Sequence, residues 1–200
     1  MHGKASMNNL KMIIPIVFLA SCNSYYFPLL IETPQKIINS FKTYSLSEEY
    51  IQNQQYSFLT IELGQQNATF VLSSIENNIY TWVGRDNITF KTFRGIIISS
   101  VGLEHNFKLN NPIESIVQIL KNNTGNLSFN FDNPRLYELQ VSLITSKQSK
   151  EKIELSFSSD DINWDPKIFI EYGSKGLPIK TIQSLHPFLK PAKLNFYYKY

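Results

Sequence analysis

The hydrophobic period of this chain changes along its length. Nine uncharged, mostly apolar residues run without a break from Met12 to Ala20. Between Thr33 and Tyr44 the apolar residues Ile37, Ile38, Phe41 and Tyr44 recur at helical spacing, behind a Thr33-Pro34 pair suited to N-cap and first helical position. That spacing predicts a short helix with its stripe laid on a sheet.

From Tyr56 the period becomes two. YSFLTIELG places Leu59, Ile61 and Leu63 on one face, and Gly64-Gln65-Gln66-Asn67 ends it with turn-forming residues. ATFVLSSIE, NIYTWVG, ITFKTF and IIISSVG follow, separated by Asn77-Asn78, Arg85-Asp86-Asn87 and Arg94-Gly95. Asparagine tolerates the left-handed conformation of a tight turn. Links this short imply an antiparallel meander, because parallel strands need crossovers of a dozen residues or more. Asn111-Pro112-Ile113-Glu114 then opens a second helix with cap, proline and acidic residue in order, and its stripe is Ile113, Ile116, Val117 and Leu120. Strand patterns return in NLSFNFD, LYELQVSLIT, KIELSFSS, KIFIEYG, LPIKTIQS and AKLNFYYKY. The expected fold is mostly β with two or three helices, a single domain built on a strongly curved antiparallel sheet or an incomplete β-barrel.

The Met12–Ala20 run is too short for a membrane helix, which needs roughly 20 apolar residues. With Lys4 and Lys11 before it and small residues after it, it has the proportions of a secretory signal. Met7 would begin an equally good one. The run closes on Leu19-Ala20-Ser21-Cys22, the sole cysteine of the 200 residues. This order matches a bacterial lipobox, in which small residues fit the signal peptidase and the thiol carries the lipid. An ordinary signal with a chance cysteine, or a buried thiol acting as a small hydrophobe, is the plainer alternative. The lipobox reading divides the chain into a signal peptide over 1–21, a tether over 22–32 and one domain over 33–200. It leaves the mature chain without any cysteine, so stability rests on the core. It also removes two basic residues, leaving 17 basic against 16 acidic, so the net charge of +3 overstates the mature balance. No dense Lys/Arg cluster remains of the kind nucleic-acid phosphates require.

Catalytic and metal chemistry find little footing. No G-x-S-x-G occurs, and His105 and His186 read as surface or loop histidines too far apart for a structural zinc. Asp161-Ile162-Asn163-Trp164-Asp165 imitates the start of a calcium loop, but Pro166 stands where the loop needs glycine and Tyr172 where it needs glutamate. No catalytic residue, metal or cofactor is expected. Asp86 and Asp161 are the carboxylates to test if the protein were a carbohydrate-active enzyme. The N-x-S/T triplets at Asn67, Asn87, Asn122 and Asn126 would matter only in a eukaryotic secretory pathway. Aromatic residues make up 14% of the chain, and strands are rich in them for packing alone. Trp82 and Tyr80 should share one face. Together with Arg85 and Asp86 of the next turn they are the candidate contact for a partner or a glycan.

TWVGRDNITFKTFRGIIISSVGLEHNF resembles a segment of the YjbF/GfcB lipoproteins, with its places held by Trp82, Asp86, Thr92, Arg94-Gly95, Ile96 to Ile98 and Gly102-Leu103. YSFLTIELGQQNATFVLSSIEN and GLPIKTIQSLHPFLKPAKLNFYYK resemble that family's first hairpin and closing segment, so the likeness spans most of the mature chain. It implies an outer-membrane lipoprotein, encoded with the export machinery of group 4 capsule or a related exopolysaccharide. Only Cys22, as the lipidation site, carries over from the family. Asn23 after it favours the outer membrane in enteric-type sorting. The expected role is non-enzymatic, facing the periplasm, with envelope export proteins or the polysaccharide itself as partner. The rival readings are a carrier of lipid or another apolar ligand, needing a cavity of several hundred cubic ångströms, and a carbohydrate-active enzyme.

Overall fold

The computed structural model describes residues 46–200. The signal segment, Cys22, the tether and the helix expected from Thr33 lie outside the described residues.

Twelve strands run in chain order around a closed antiparallel barrel. They are β1 (Phe58–Leu63), β2 (Gln66–Glu76), β3 (Ile79–Val83), β4 (Thr89–Phe93), β5 (Ile96–Val101), β6 (Phe107–Leu109), β7 (Thr124–Asp132), β8 (Arg135–Gln148), β9 (Lys152–Ser158), β10 (Lys167–Tyr172), β11 (Pro178–Gln183) and β12 (Ala192–Tyr197). Helix α1 (Glu48–Asn53) precedes β1, and α2 (Ile113–Asn122) connects β6 to β7. Each strand pairs with its sequence neighbours, and β12 closes on β1 with Phe58 opposite Tyr197 and Leu63 opposite Ala192. The mostly β, antiparallel expectation holds; the incomplete barrel is corrected to a closed one. Closure leaves no free sheet edge among the described strands.

Alternation decides what faces inward. Leu59 and Ile61 on β1, Leu194 and Phe196 on β12, and Leu155 and Phe157 on β9 are all buried; Asn195 and Ser156 between them are half-buried, whereas Thr60 between Leu59 and Ile61 is buried as well. Asn77 and Asn78 both take positive φ, 52° and 63°, in the β2–β3 turn, as their side chains permit. The three-residue β6 escaped the periodicity, and it meets β5 at one pair, Ser99 with Lys108. Asn111 does not cap α2. Its Oδ1 instead accepts a hydrogen bond from the Ser128 backbone N–H on β7, and Pro112 occupies the cap position.

A circular barrel of this many strands would enclose a channel. This one is collapsed, with strands from opposite sides of the ring in contact. Ile97 N–H on β5 donates to Gln183 Oε1 on β11 at 3.2 Å. At Gly95, φ +87°, an added Cβ would sit 2.9 Å from Pro178 and 3.1 Å from Ile170 Cγ2, so the β4–β5 turn reaches across to β10 and β11. On one side of this clasp lie Phe70, Trp82, Phe90 and Phe196; on the other, Phe107, Phe129, Phe131 and Leu143. The second group surrounds a void of about 30 Å³, room for a water or two. Helix α2 packs on β7 and β8, burying Ile116, Ile119 and Leu120, where Gly125 leaves space that a methyl group would take from Ile119.

Candidate functional site

Because every link runs between neighbouring strands, the β2–β3, β4–β5, β8–β9 and β10–β11 turns and the start of α2 gather at one end of the barrel. An open cleft of about 640 Å³ lies among them. We call this end the mouth. Tyr80, Phe93 and Arg94 line one side, Tyr172, Leu177 and Pro178 another, and Ile113, Glu114 and Val117 of α2 and Ser149, Lys150 and Ile153 of the β8–β9 hairpin complete it.

The clasp fixes the cleft's geometry. Tyr172 donates its hydroxyl proton to the Arg94 carbonyl oxygen at 3.1 Å, tying the β10 side to the β4–β5 turn. Arg94 has φ 51°, a left-handed conformation that a non-glycine residue adopts at some cost, and its guanidinium carbon lies 5.7 Å from the Phe93 ring centroid. Beneath the rim, Tyr80 stacks on Trp82 with ring centroids 6.1 Å apart, and Tyr198 meets Tyr80 edge-on at 5.9 Å. Burial pushes the Tyr198 hydroxyl above the ordinary tyrosine range, and Tyr80, Tyr200 and Tyr172 push it the same way. Burial likewise raises Tyr172 against the opposing pull of Arg94. These two phenols stay neutral near neutral pH and serve as hydrogen-bonding groups. Among the described residues the ion pairs are Lys152 with Glu171 and Lys193 with Glu62, so Arg94, Lys150 and Glu114 face the cleft outside any ion pair.

The four residues singled out from sequence do not form one site. Trp82 and Tyr80 share the inner face, as their spacing required, but Trp82 is 0% exposed and donates its indole N–H to Thr92 Oγ1 at 2.9 Å. A ring so buried offers no surface to a partner, which corrects that reading; Tyr80 alone of the pair reaches the cleft. Arg85 and Asp86 sit in a one-turn 3-10 segment at the other end of β3, exposed and away from the mouth. Arg94, Lys150 and Tyr172 were missed because only the collapse brings their turns together.

The end opposite the mouth holds a second cluster. His105 and His186, 81 residues apart, lie with ring centroids 5.0 Å apart. His186 is fully buried rather than a surface histidine: its Nδ1 accepts from the Phe188 backbone N–H at 3.2 Å, and Phe131 meets its ring edge-on at 5.0 Å. That bond leaves the proton on Nε2, whereas His105 Nδ1 faces the Asn133 carbonyl and carries its own proton there. Burial, and then the neighbouring His105, lower the His186 pKa from 6.5 to about 4, opposed by Asp132. A buried ring that resists protonation stabilises the fold fully above pH 6.5 and loses that contribution as the pH falls toward 4. Screening at the barrel end makes the difference on the order of 2 kcal/mol between pH 7 and 4.5. Urea melts of the wild type and His186→Leu should show this extra acid sensitivity in the wild type only; equal pH dependence would contradict it.

The family model for the group 4 capsule polysaccharide lipoprotein GfcB, YjbF, matches residues 31–162. The chain belongs to the YjbF family. A crystal structure of the hypothetical lipoprotein YmcC from Escherichia coli (K12) superposes with a TM-score of 0.58 at 17% identity, covering 84% of this chain and 97% of that one. At that identity the likeness establishes a shared fold. No curated protein matches the chain. For this YjbF-family chain the fold is therefore supported from both sides, and its working surface must be sought in its own residues.

Proposed function

We propose that this protein is a non-enzymatic envelope lipoprotein that serves capsule or exopolysaccharide export, anchored through Cys22 in the outer membrane with its barrel in the periplasm. Family membership supplies the setting. The observation that favours binding over the rival roles is a filled interior beneath an open cleft. A carrier would need several hundred cubic ångströms of enclosed apolar space, against about 30 Å³ here. A glycosidase would need two facing carboxylates. Among the described residues that line the cleft there is a single one, Glu114, while Asp86 and Asp161 are exposed in turns at the opposite end.

Two acyl chains or more on Cys22 would hold the barrel within a thin shell beneath the membrane, raising its effective concentration toward an export partner or the passing polymer. Deleting the gene should strip most of the polysaccharide from the cell surface, measured as total surface sugar. An unchanged surface would overturn the proposal.

A further inference from the structure

We infer that the mouth cleft binds an acidic oligosaccharide, with Arg94 and Lys150 receiving its carboxylates and Tyr80 and Tyr172 lying against its sugar rings. The inference deepens the proposed function and rests on it only for the source of the glycan; the chemistry comes from the cleft itself.

Three features select this ligand. The first is charge: Arg94 and Lys150 outnumber Glu114 in the cleft, and among the described residues neither is in an ion pair. A guanidinium in that position is available for the forked, two-bond recognition of a carboxylate. The second is the local conformation of Arg94. The first position of a tight hairpin turn with positive φ favours Asn, Asp or Gly, and Arg there costs stability. The chain nonetheless holds Arg94 at φ 51°, with the Tyr172 hydroxyl fixing its carbonyl, so the turn presents a cation over the cleft. The third is the lining: neutral hydrogen-bonding groups from Asn77, Asn78 and Ser149 stand among two tyrosines, in a cleft whose volume suits a ligand of several rings.

A peptide fits less well. Extended peptides add to a free sheet edge, and the closed barrel has none among its described strands. An amphipathic helix seeks a mainly apolar groove, whereas polar and charged groups occur on every side of this one.

The test uses the full-length lipidated chain in detergent micelles, titrated calorimetrically with hexagalacturonate, the neutral maltohexaose and a hexaglutamate peptide. Binding of hexagalacturonate should weaken at least tenfold in the Arg94→Gln, Lys150→Gln double variant and weaken with added salt. Both side chains are exposed, so the variant should melt like the wild type. Equal binding of maltohexaose would overturn the acidic class, and tighter binding of hexaglutamate would overturn the glycan. Binding unchanged in the double variant, or no binding of hexagalacturonate, would overturn the site. Failure here with surface polysaccharide still lost on deletion would leave the export role standing; the converse would leave the cleft standing without that role.

Discussion

Replacing Trp82 by alanine should cost about 4 kcal/mol of folding stability, the range for removing a large buried aromatic ring. The side chain is 0% exposed, its ring lies within about 6 Å of the Tyr80, Phe196 and Tyr198 rings, and its N–H satisfies the buried hydroxyl of Thr92. Truncation therefore opens a cavity and removes that hydroxyl's donor. Trp82→Phe keeps most of the volume and should cost about 1–2 kcal/mol, mainly through the lost hydrogen bond and imperfect fit. Urea unfolding of the three proteins would measure both values. A loss below about 1 kcal/mol for the alanine variant would mean that the ring is not in the core.

Cys22→Ser should abolish membrane anchoring through the thiol. A hydroxyl in that place lacks the sulfur nucleophile that takes the diacylglycerol, and each buried CH₂ of the missing chains forfeits about 0.8 kcal/mol of membrane affinity. The intact mass of the cellular product should then carry no acyl chains, where the wild type should carry them. An identical acyl mass on the serine variant would contradict the lipobox, and with it the proposed address under the outer membrane.

Local residues carried the strands and turns but not their closure. Leu59 and Ile61 announce an inward face, and Asn77-Asn78 a tight turn, because both signals lie within a few residues of one another. That β1 should meet β12, with Phe58 against Tyr197, depends on a pairing between distant segments that alternation does not encode. The same limit explains Trp82. Spacing put it on one face with Tyr80, yet which face became the interior was decided only when the ring closed and collapsed. Arg94-Gly95 was legible as a turn, whereas its reach to Pro178 and Tyr172, which creates the cleft, belongs to the far side of the barrel. His105 and His186 looked like separate loop residues for the same reason. β6 is too short for periodicity to register, and it is held by Phe107 and Leu109 against Phe131 and Phe129 rather than by strand propensity.

Action in polysaccharide export through the mouth, as proposed, makes Arg94 and Lys150 necessary in the cell. The direct measurement is surface polysaccharide on cells lacking the gene and supplied with the Arg94→Gln, Lys150→Gln variant at wild-type abundance. Surface sugar should remain near the level of the deleted strain. Restoration to the level given by the wild-type gene would show that export does not use this cleft.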